Sequence, residues 1–489
     1  MALIGLDIGT TSTIGVLARA DGAILSTESR PVTLASSAPG WSEEDPAEWW
    51  ANACAILRAL VAKGEPVEAV GVTGMLPAVV LLDAGGRVIR PAIQQSDARA
   101  ASEVEALRAA HDEREFFRRT GCGLNQQLVA PKLRWLAAHE PAALERAATL
   151  FGSYDYVNFR LTGQRTVERN WALESGFMNL ATGRFAEDLV ALGGIAPTLL
   201  PAIRGAPEII GAVTPEAAAA TGLMAGTPVA AGCADHVASA FVAGIVAPGD
   251  VLLKFGGSAD ILTASATPHD DPRLYLDAHI VPGLWVPNGC MAASGATLNW
   301  IARELASGTP HAALDLEAAA TPPGAEGLVL LPYFLGEKTP LHDPRARGVL
   351  FGLGLHHTRG HVWRAALEGI AFGFRHHLDV FAESGIPTSR FVASDGGARS
   401  ATWMQIVADV IQAPVQLLDG HPGPALGAAF VAGMGVGAFR AWDEIGRFTR
   451  PGALVRPNPE TAATYDRLYR IYRETYERLR PLMPQLSPP

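Results

Sequence analysis

Leu3-Ile4-Gly5-Leu6-Asp7-Ile8-Gly9-Thr10-Thr11-Ser12 sets a carboxylate inside an apolar run, follows it with small hydroxyl residues, and leads into a second apolar run, Ile14 to Leu17. Two strands hinged in this way form a hairpin whose tip offers backbone N–H groups and hydroxyls to an anion. Asp7, beside that tip, suits a hydrated cation such as Mg²⁺, which prefers a carboxylate together with phosphate oxygens. A phosphate cradle next to a metal carboxylate suggests a nucleoside-triphosphate site. A hairpin whose charge simply faces solvent is the other reading of the same residues.

A second stretch repeats the pattern. Val251-Leu252-Leu253-Lys254-Phe255-Gly256-Gly257-Ser258-Ala259-Asp260-Ile261-Leu262 is again strand, small-residue turn and strand, with Gly-Gly-Ser at the tip. Two such hairpins facing each other across a cleft would clamp a nucleotide between two domains. Further on, the strand Arg390 to Ala393 runs into Ser394-Asp395-Gly396-Gly397-Ala398-Arg399-Ser400 and then a helix. Glycines there let a base or ribose approach the backbone, and the helix start favours negative charge. The three elements in this order say more than any one of them.

A chain of 489 residues with 48% hydrophobic content is too long for one core and points to two large domains, here drawn as 1–245 and 246–489. Val67 to Thr73 and Val79 to Leu82 read as strands, Pro46 to Leu60 and Lys132 to Ala138 as helices, an alternation typical of α/β folds. A Pro- and Gly-rich stretch, Ala196 to Gly211, precedes the next strand-like run, Pro228 to Ala231. The net charge of -10 and the lack of a Lys/Arg cluster argue against a nucleic-acid surface. Cys54, Cys122, Cys233 and Cys290 are scattered and read as reduced core residues. With no basic leader and no apolar run long enough for a bilayer, a soluble, cytoplasmic protein without membrane partners is expected. Tyr465, Tyr469, Tyr472, Tyr476 and Leu479 recur at helical spacing as a packing stripe.

Between the hairpins lies Gly232-Cys233-Ala234-Asp235-His236, where a strand ends and a helix-like run, Val237 to Gly244, begins. Asp235 reads either as a helix N-cap or as a carboxylate that accepts a hydroxyl proton and aligns its oxygen for phosphoryl transfer. It can serve both ends, because ligands collect where strands of α/β folds end. His236 reads as a hydrogen-bonding partner of a substrate hydroxyl or as a structural polar group on the first turn.

Taken together these residues resemble the FGGY-type carbohydrate kinases, within the sugar kinase, Hsp70 and actin superfamily, along nearly the whole chain. The matching segments include Asp7-Ile8-Gly9-Thr10-Thr11, Gly40-Trp41-Ser42-Glu43-Glu44-Asp45-Pro46, Pro131-Lys132-Leu133-Arg134-Trp135-Leu136, Phe255-Gly256-Gly257-Ser258, Ala293-Ser294-Gly295-Ala296, His361-Val362-Trp363-Arg364-Ala365-Ala366-Leu367-Glu368-Gly369 and Asp395-Gly396-Gly397-Ala398-Arg399-Ser400. The resemblance implies two actin-like (ribonuclease H-like) α/β domains with a deep interdomain cleft, sugar on the N-terminal side and ATP mostly on the C-terminal one. It implies Asp235 as general base, Asp7 as the Mg²⁺ carboxylate, and Gly9, Thr10, Thr11, Gly256, Gly257, Ser258 and Gly295 along the phosphates. Gly396, Gly397 and Ser400 would border the adenosine; Trp41, Met75, Asp97, Trp171, Asp235 and His236 would meet the sugar. Dimers are common in the family.

Departures bear on the substrate. Xylulose kinases typically carry Gln-Met-His-Gly where this chain has Thr73-Gly74-Met75-Leu76-Pro77, and the Arg-Glu pair of glycerol kinases is absent too. Gln95-Ser96 replaces a usual Trp-Asn, and Gly257 a frequent Thr. The expectation is an ATP-dependent kinase acting on a primary hydroxyl of a ketopentose such as xylulose. Its alternatives are a kinase for another polyol or tetrose-type sugar, an Hsp70- or actin-like ATPase, and a sugar-binding pseudokinase.

Overall fold

All seven residues of the strand Ala2–Ile8 are buried, Asp7 included, as in a central strand covered on both faces. In the computed structural model, which describes residues 2–486, this strand centres the first of two large sheets. From one edge that sheet runs Ile24–Pro31, Ser12–Arg19, Ala2–Ile8, Val67–Gly74, Pro228–Ala230, Ile209–Ala212. Its first three strands are antiparallel neighbours, the next two continue in parallel, and the last turns back. The second sheet runs Trp285–Met291, Ala259–Thr263, Asp250–Phe255, Arg390–Ser394, Val415–Leu418, Pro451–Val455, with the same succession of directions. Tyr275–Ala278 adds one further edge strand. One fold therefore occurs twice, and the two small-residue hairpins occupy the same place in each copy.

The helices form where capping and periodicity direct them. Pro46–Val61 starts with Pro at its first turn, and Asp45 accepts a hydrogen bond from the Ala47 N–H as its cap. The segment read as helix from Lys132 extends over Val129–His139. The tyrosine stripe lies on Ala462–Leu479, with Tyr465, Tyr469, Tyr472 and Tyr476 buried against the second core. The strand expected from Val79 is the short Val80–Leu82, which pairs with Thr149–Phe151 outside the main sheets. The Pro- and Gly-rich stretch is ordered: Ala202–Arg204 pairs with Thr166–Glu168, and Ile209–Ala212 closes the first sheet. All four cysteines are free thiols.

A cut at 245/246 follows the strands but not the packing. The helix Pro424–Gly435 lies on Ala2–Ile8 and Val67–Gly74 of the first sheet and packs against the helix Asp235–Val242. A Cβ on Gly5 would stand 1.7 Å from the Ala425 carbonyl oxygen, and one on Gly71 2.1 Å from that of Ala428. Only glycine lets helix and sheet approach so closely. Phe430, Phe439 and Phe448 likewise belong to the first core. The C-terminal half thus crosses back onto the first.

Candidate active site

Between the two halves lies a cavity of about 810 Å³. The first half contributes Thr10, Met75, Gln95, Glu174, Asp235 and His236; the second contributes Lys254, Ser258, Asp260, Asp277, Asp395 and Gly396. Most of these stand at strand ends or just beyond them, where side chains escape the sheet. Asp7, one residue short of its strand's end, is 7% exposed, and its Oδ1 takes no hydrogen bond from any described residue. Burial, then the charge of Asp235, push its carboxyl well above the usual range, while Lys254 pulls the other way. Such an orphaned oxygen is suited to a cation.

Asp235 is aimed by the strand before it. Cys233–Ala234 pairs in parallel with Thr73 and Gly74, and the Thr73 hydroxyl donates to the Cys233 carbonyl at 2.6 Å. Gly232 turns the chain there with φ +88°, and a Cβ would lie 1.7 Å from the Val72 oxygen. Asp235 then opens the helix as its first residue, and Ala234 is the cap position, so the expected N-cap role falls away. Its Oδ1 accepts from the His236 backbone N–H at 2.6 Å and lies 3.3 Å from His236 Nδ1. His236 Nε2 donates to Asp277 Oδ2 at 2.8 Å, with Glu174 Oε1 at 3.9 Å.

The charges follow from these contacts. Burial opposes a charged imidazole, but Asp277, Asp235 and Glu174 together push His236 well above its ordinary value. Burial also works upward on Asp235; the hydrogen bond and charge of His236, aided by Lys254, leave it below the usual range. Asp235 is therefore ionised at neutral pH, as a proton acceptor must be. Burial and Asp277 raise Glu174 well above its normal range. The ligating atoms of Glu174, His236 and Asp277 lie within 4.8 Å of one another, and the imidazolium already supplies the positive charge among them.

Of the sugar-side expectations, Met75 lines the cavity and three others do not. Trp171 is fully buried, with its N–H on the Ala78 carbonyl at 2.9 Å, so it is a core aromatic. Asp97 is buried as well, and its oxygens are taken by Arg99 and by the Ser42 N–H at 2.6 Å. Trp41 lies 3.9 Å under the Arg99 guanidinium and edge-on to Trp135. These residues frame the wall from behind. The wall itself carries Gln95 and Gln127, joined at 2.9 Å. Behind them Lys132 Nζ reaches the Gln127 and Gln95 carbonyls at 3.3 and 3.4 Å, and burial pulls its ammonium down to about 7.

Of the nucleotide-side expectations, Thr10, Ser258 and Gly396 line the cavity, while Thr11 faces solvent. The Gly9 N–H is engaged with the Ser12 carbonyl at 3.1 Å. Gly295 donates to the Gly256 carbonyl at 3.0 Å, and Ser294 to that of Gly257 at 2.8 Å, so this turn buttresses the second loop. Gly397 is required for packing, since a Cβ would sit 2.4 Å from the Trp403 ring. Ser400 caps the helix Ala401–Ile411 through the Trp403 N–H. Asp395, at the cavity, adopts φ +73° and ψ −169°, a strained conformation of the kind that gathers at functional sites. Glu174, Lys254, Asp277 and Gln127 escape a reading of the sequence, which singles out Gln95 only as a departure from the pentulose-kinase segment. Of the four, Lys254 carries a sequence signal, its place in the repeated hairpin.

The profile for the N-terminal domain of the FGGY family of carbohydrate kinases matches residues 2–242, and that for the C-terminal domain residues 251–436. The xylulose kinase of Escherichia coli strain K12 is 31% identical over 98% of this chain and 99% of its own. A crystal structure of xylulose kinase from Rhodospirillum rubrum superposes with TM-score 0.95 at 54% identity, covering 99% of this chain and 100% of the other. A gluconate kinase from Lactobacillus acidophilus gives TM-score 0.94 at 25% identity, covering 99% of both chains. The duplicated α/β architecture with a cleft between the halves is thus that of sugar kinases.

Proposed function

The chain belongs to the FGGY family of carbohydrate kinases, and from that premise we propose that it transfers the γ-phosphoryl group of ATP to a primary hydroxyl of a pentulose, xylulose first. The observation that carries this reading is Asp235, held ionised at the cavity by His236 on the first half and Lys254 on the second. The sugar oxygen attacks the γ-phosphorus while its proton passes to Asp235; the bond to the β-phosphate oxygen breaks and ADP leaves. The hairpin tips offer backbone and hydroxyl donors along the phosphates. Asp7 fits Mg²⁺, since its buried Oδ1 lacks a partner among the described residues; a bound ion would neutralise phosphate charge there. Closing the halves around the sugar would exclude water and limit idle hydrolysis.

The sugar wall supports a neutral polyol. Gln95 and Gln127 present amides, which pair with uncharged hydroxyls. The His that xylulose kinases carry is Leu76 here, which removes one hydroxyl contact that the Gln95 and Gln127 amides can supply. No helix among the described residues is long and apolar enough to cross a membrane, and the reading places the enzyme where ATP is, in the cytoplasm. ADP release measured with Mg·ATP across xylulose, ribulose, glycerol and gluconate tests the assignment. Xylulose should give the highest kcat/KM; a higher value for glycerol or gluconate would move the substrate class, and release indifferent to sugar would favour the plain ATPase.

A further inference from the structure

The two hairpins carry opposite charges at the same place. Asp7 is the penultimate residue of Ala2–Ile8, opposite Ile14 and beside Thr73 on the parallel neighbour. Lys254 is the penultimate residue of Asp250–Phe255, opposite Asp260 and beside Ser394 on its parallel neighbour. Asp7-Ile8-Gly9-Thr10-Thr11 thus aligns without a gap on Lys254-Phe255-Gly256-Gly257-Ser258. Since the sheets share order and direction, each half carries its own charge to the cleft, and Lys254 lines the cavity.

The ammonium of Lys254 is committed to little. Asp260 Oδ2 stands 3.8 Å away, and no hydrogen bond joins Nζ to a described residue. Three N–H donors are therefore left for a ligand. Burial opposes its charge, but Asp260, Asp395 and Asp235 keep it protonated. At the loop tip, a Cβ on Gly257 would meet nothing within 4 Å, so this end offers open space and no side-chain donor of its own.

We propose that Lys254 contacts the transferring γ-phosphoryl group and is a catalytic residue of this site. The proposal deepens the kinase reading and rests on it. In the transfer the sugar oxygen bonds to the γ-phosphorus, and the bond to the bridging oxygen breaks with its electron pair left on ADP. The hydroxyl proton goes to Asp235. Lys254 gives up no proton; its charge lies against the equatorial oxygens, where phosphoryl-transfer catalysis is mostly positioning and electrostatics. With no Thr hydroxyl at position 257, the Lys254 ammonium is the charged donor that this hairpin brings to the cavity, beside the Ser258 hydroxyl. If Lys254 served only to neutralise Asp260 and Asp395, it would not distinguish nucleotides by their γ-phosphate.

Calorimetry with ADP and with a non-hydrolysable ATP analogue, alongside xylulose turnover, separates the two roles. Lys254→Met should lower kcat on the order of 10²-fold and weaken the analogue about tenfold or more, with ADP affinity within about twofold of wild type. Lys254→Arg should recover part of both, and a melting curve near wild type shows each variant folded. Should Lys254→Met fail to fold, Lys254→Arg and Lys254→Gln carry the same comparison. Equal loss for both nucleotides, or a kcat within about threefold of wild type, overturns the role of Lys254. Absence of sugar-dependent turnover in the wild type overturns the kinase reading, and this proposal with it.

Discussion

His236 governs Asp235 more than any other single residue. Its hydrogen bond and charge oppose the burial that would otherwise lift the Asp235 pKa. In His236→Gln the backbone N–H to Asp235 persists but the cation is gone, so burial dominates and Asp235 takes its proton at higher pH. The acidic limb of kcat/KM for the sugar should therefore move to higher pH by about one unit or more. A limb that stays in place would show that His236 does not tune the base. Asp97 behaves differently, because both it and the Arg99 side chain are cut off from solvent. Asp97→Asn should cost about 3 kcal/mol in a denaturant titration by leaving Arg99 short of a partner. Unchanged stability with a raised sugar KM would return Asp97 to the sugar site. Asp7 and Asp235 were legible because a carboxylate at the end of an apolar strand is conspicuous. Asp97 and Trp171 looked equally chemical, yet Arg99 and the Ala78 carbonyl, which no local pattern announces, claim them.

At the scale of elements, period and punctuation served well where packing was local. The opening hairpin, the helix from Pro46 and the tyrosine-striped helix stand close to where the sequence pattern puts them. The stretch from Ala196 shows less in its pattern, since Pro and Gly there shape short strands that pair with distant segments. Nor does any pattern show that Pro424–Gly435 lies on a sheet formed hundreds of residues earlier. That contact leaves its trace in Gly5 and Gly71, which look like ordinary strand glycines until the helix is seen above them. Gly71→Ala would press a Cβ against the Ala428 carbonyl and should destabilise the protein by about 3 kcal/mol, read as a lower denaturation midpoint. A midpoint equal to wild type would mean the helix can shift away without cost.

For the whole molecule, the repeated hairpin foretold a repeated sheet, and the matching strand orders make the cleft a seam between two copies of one design. The halves are nonetheless not independent. Residues 1–245 alone would leave the face of Ala2–Ile8 and Val67–Gly74 bare where Pro424–Gly435 belongs. That fragment should lack a cooperative thermal transition; a sharp melt like that of the full chain would show the first half folds unaided. The seam gathers Asp7, Asp235, Lys254 and Asp395 from strand ends of both copies, and the account stands on phosphoryl transfer at that meeting point. The most direct measurement is phosphorus NMR of wild type and Asp235→Asn with ATP, Mg²⁺ and xylulose, with melting curves to show both are folded. The account predicts a phosphate ester on a primary carbon of the sugar with one ADP per ester, and neither in the variant. Inorganic phosphate as the sole product, or ester formed by the variant at the wild-type rate, would contradict it.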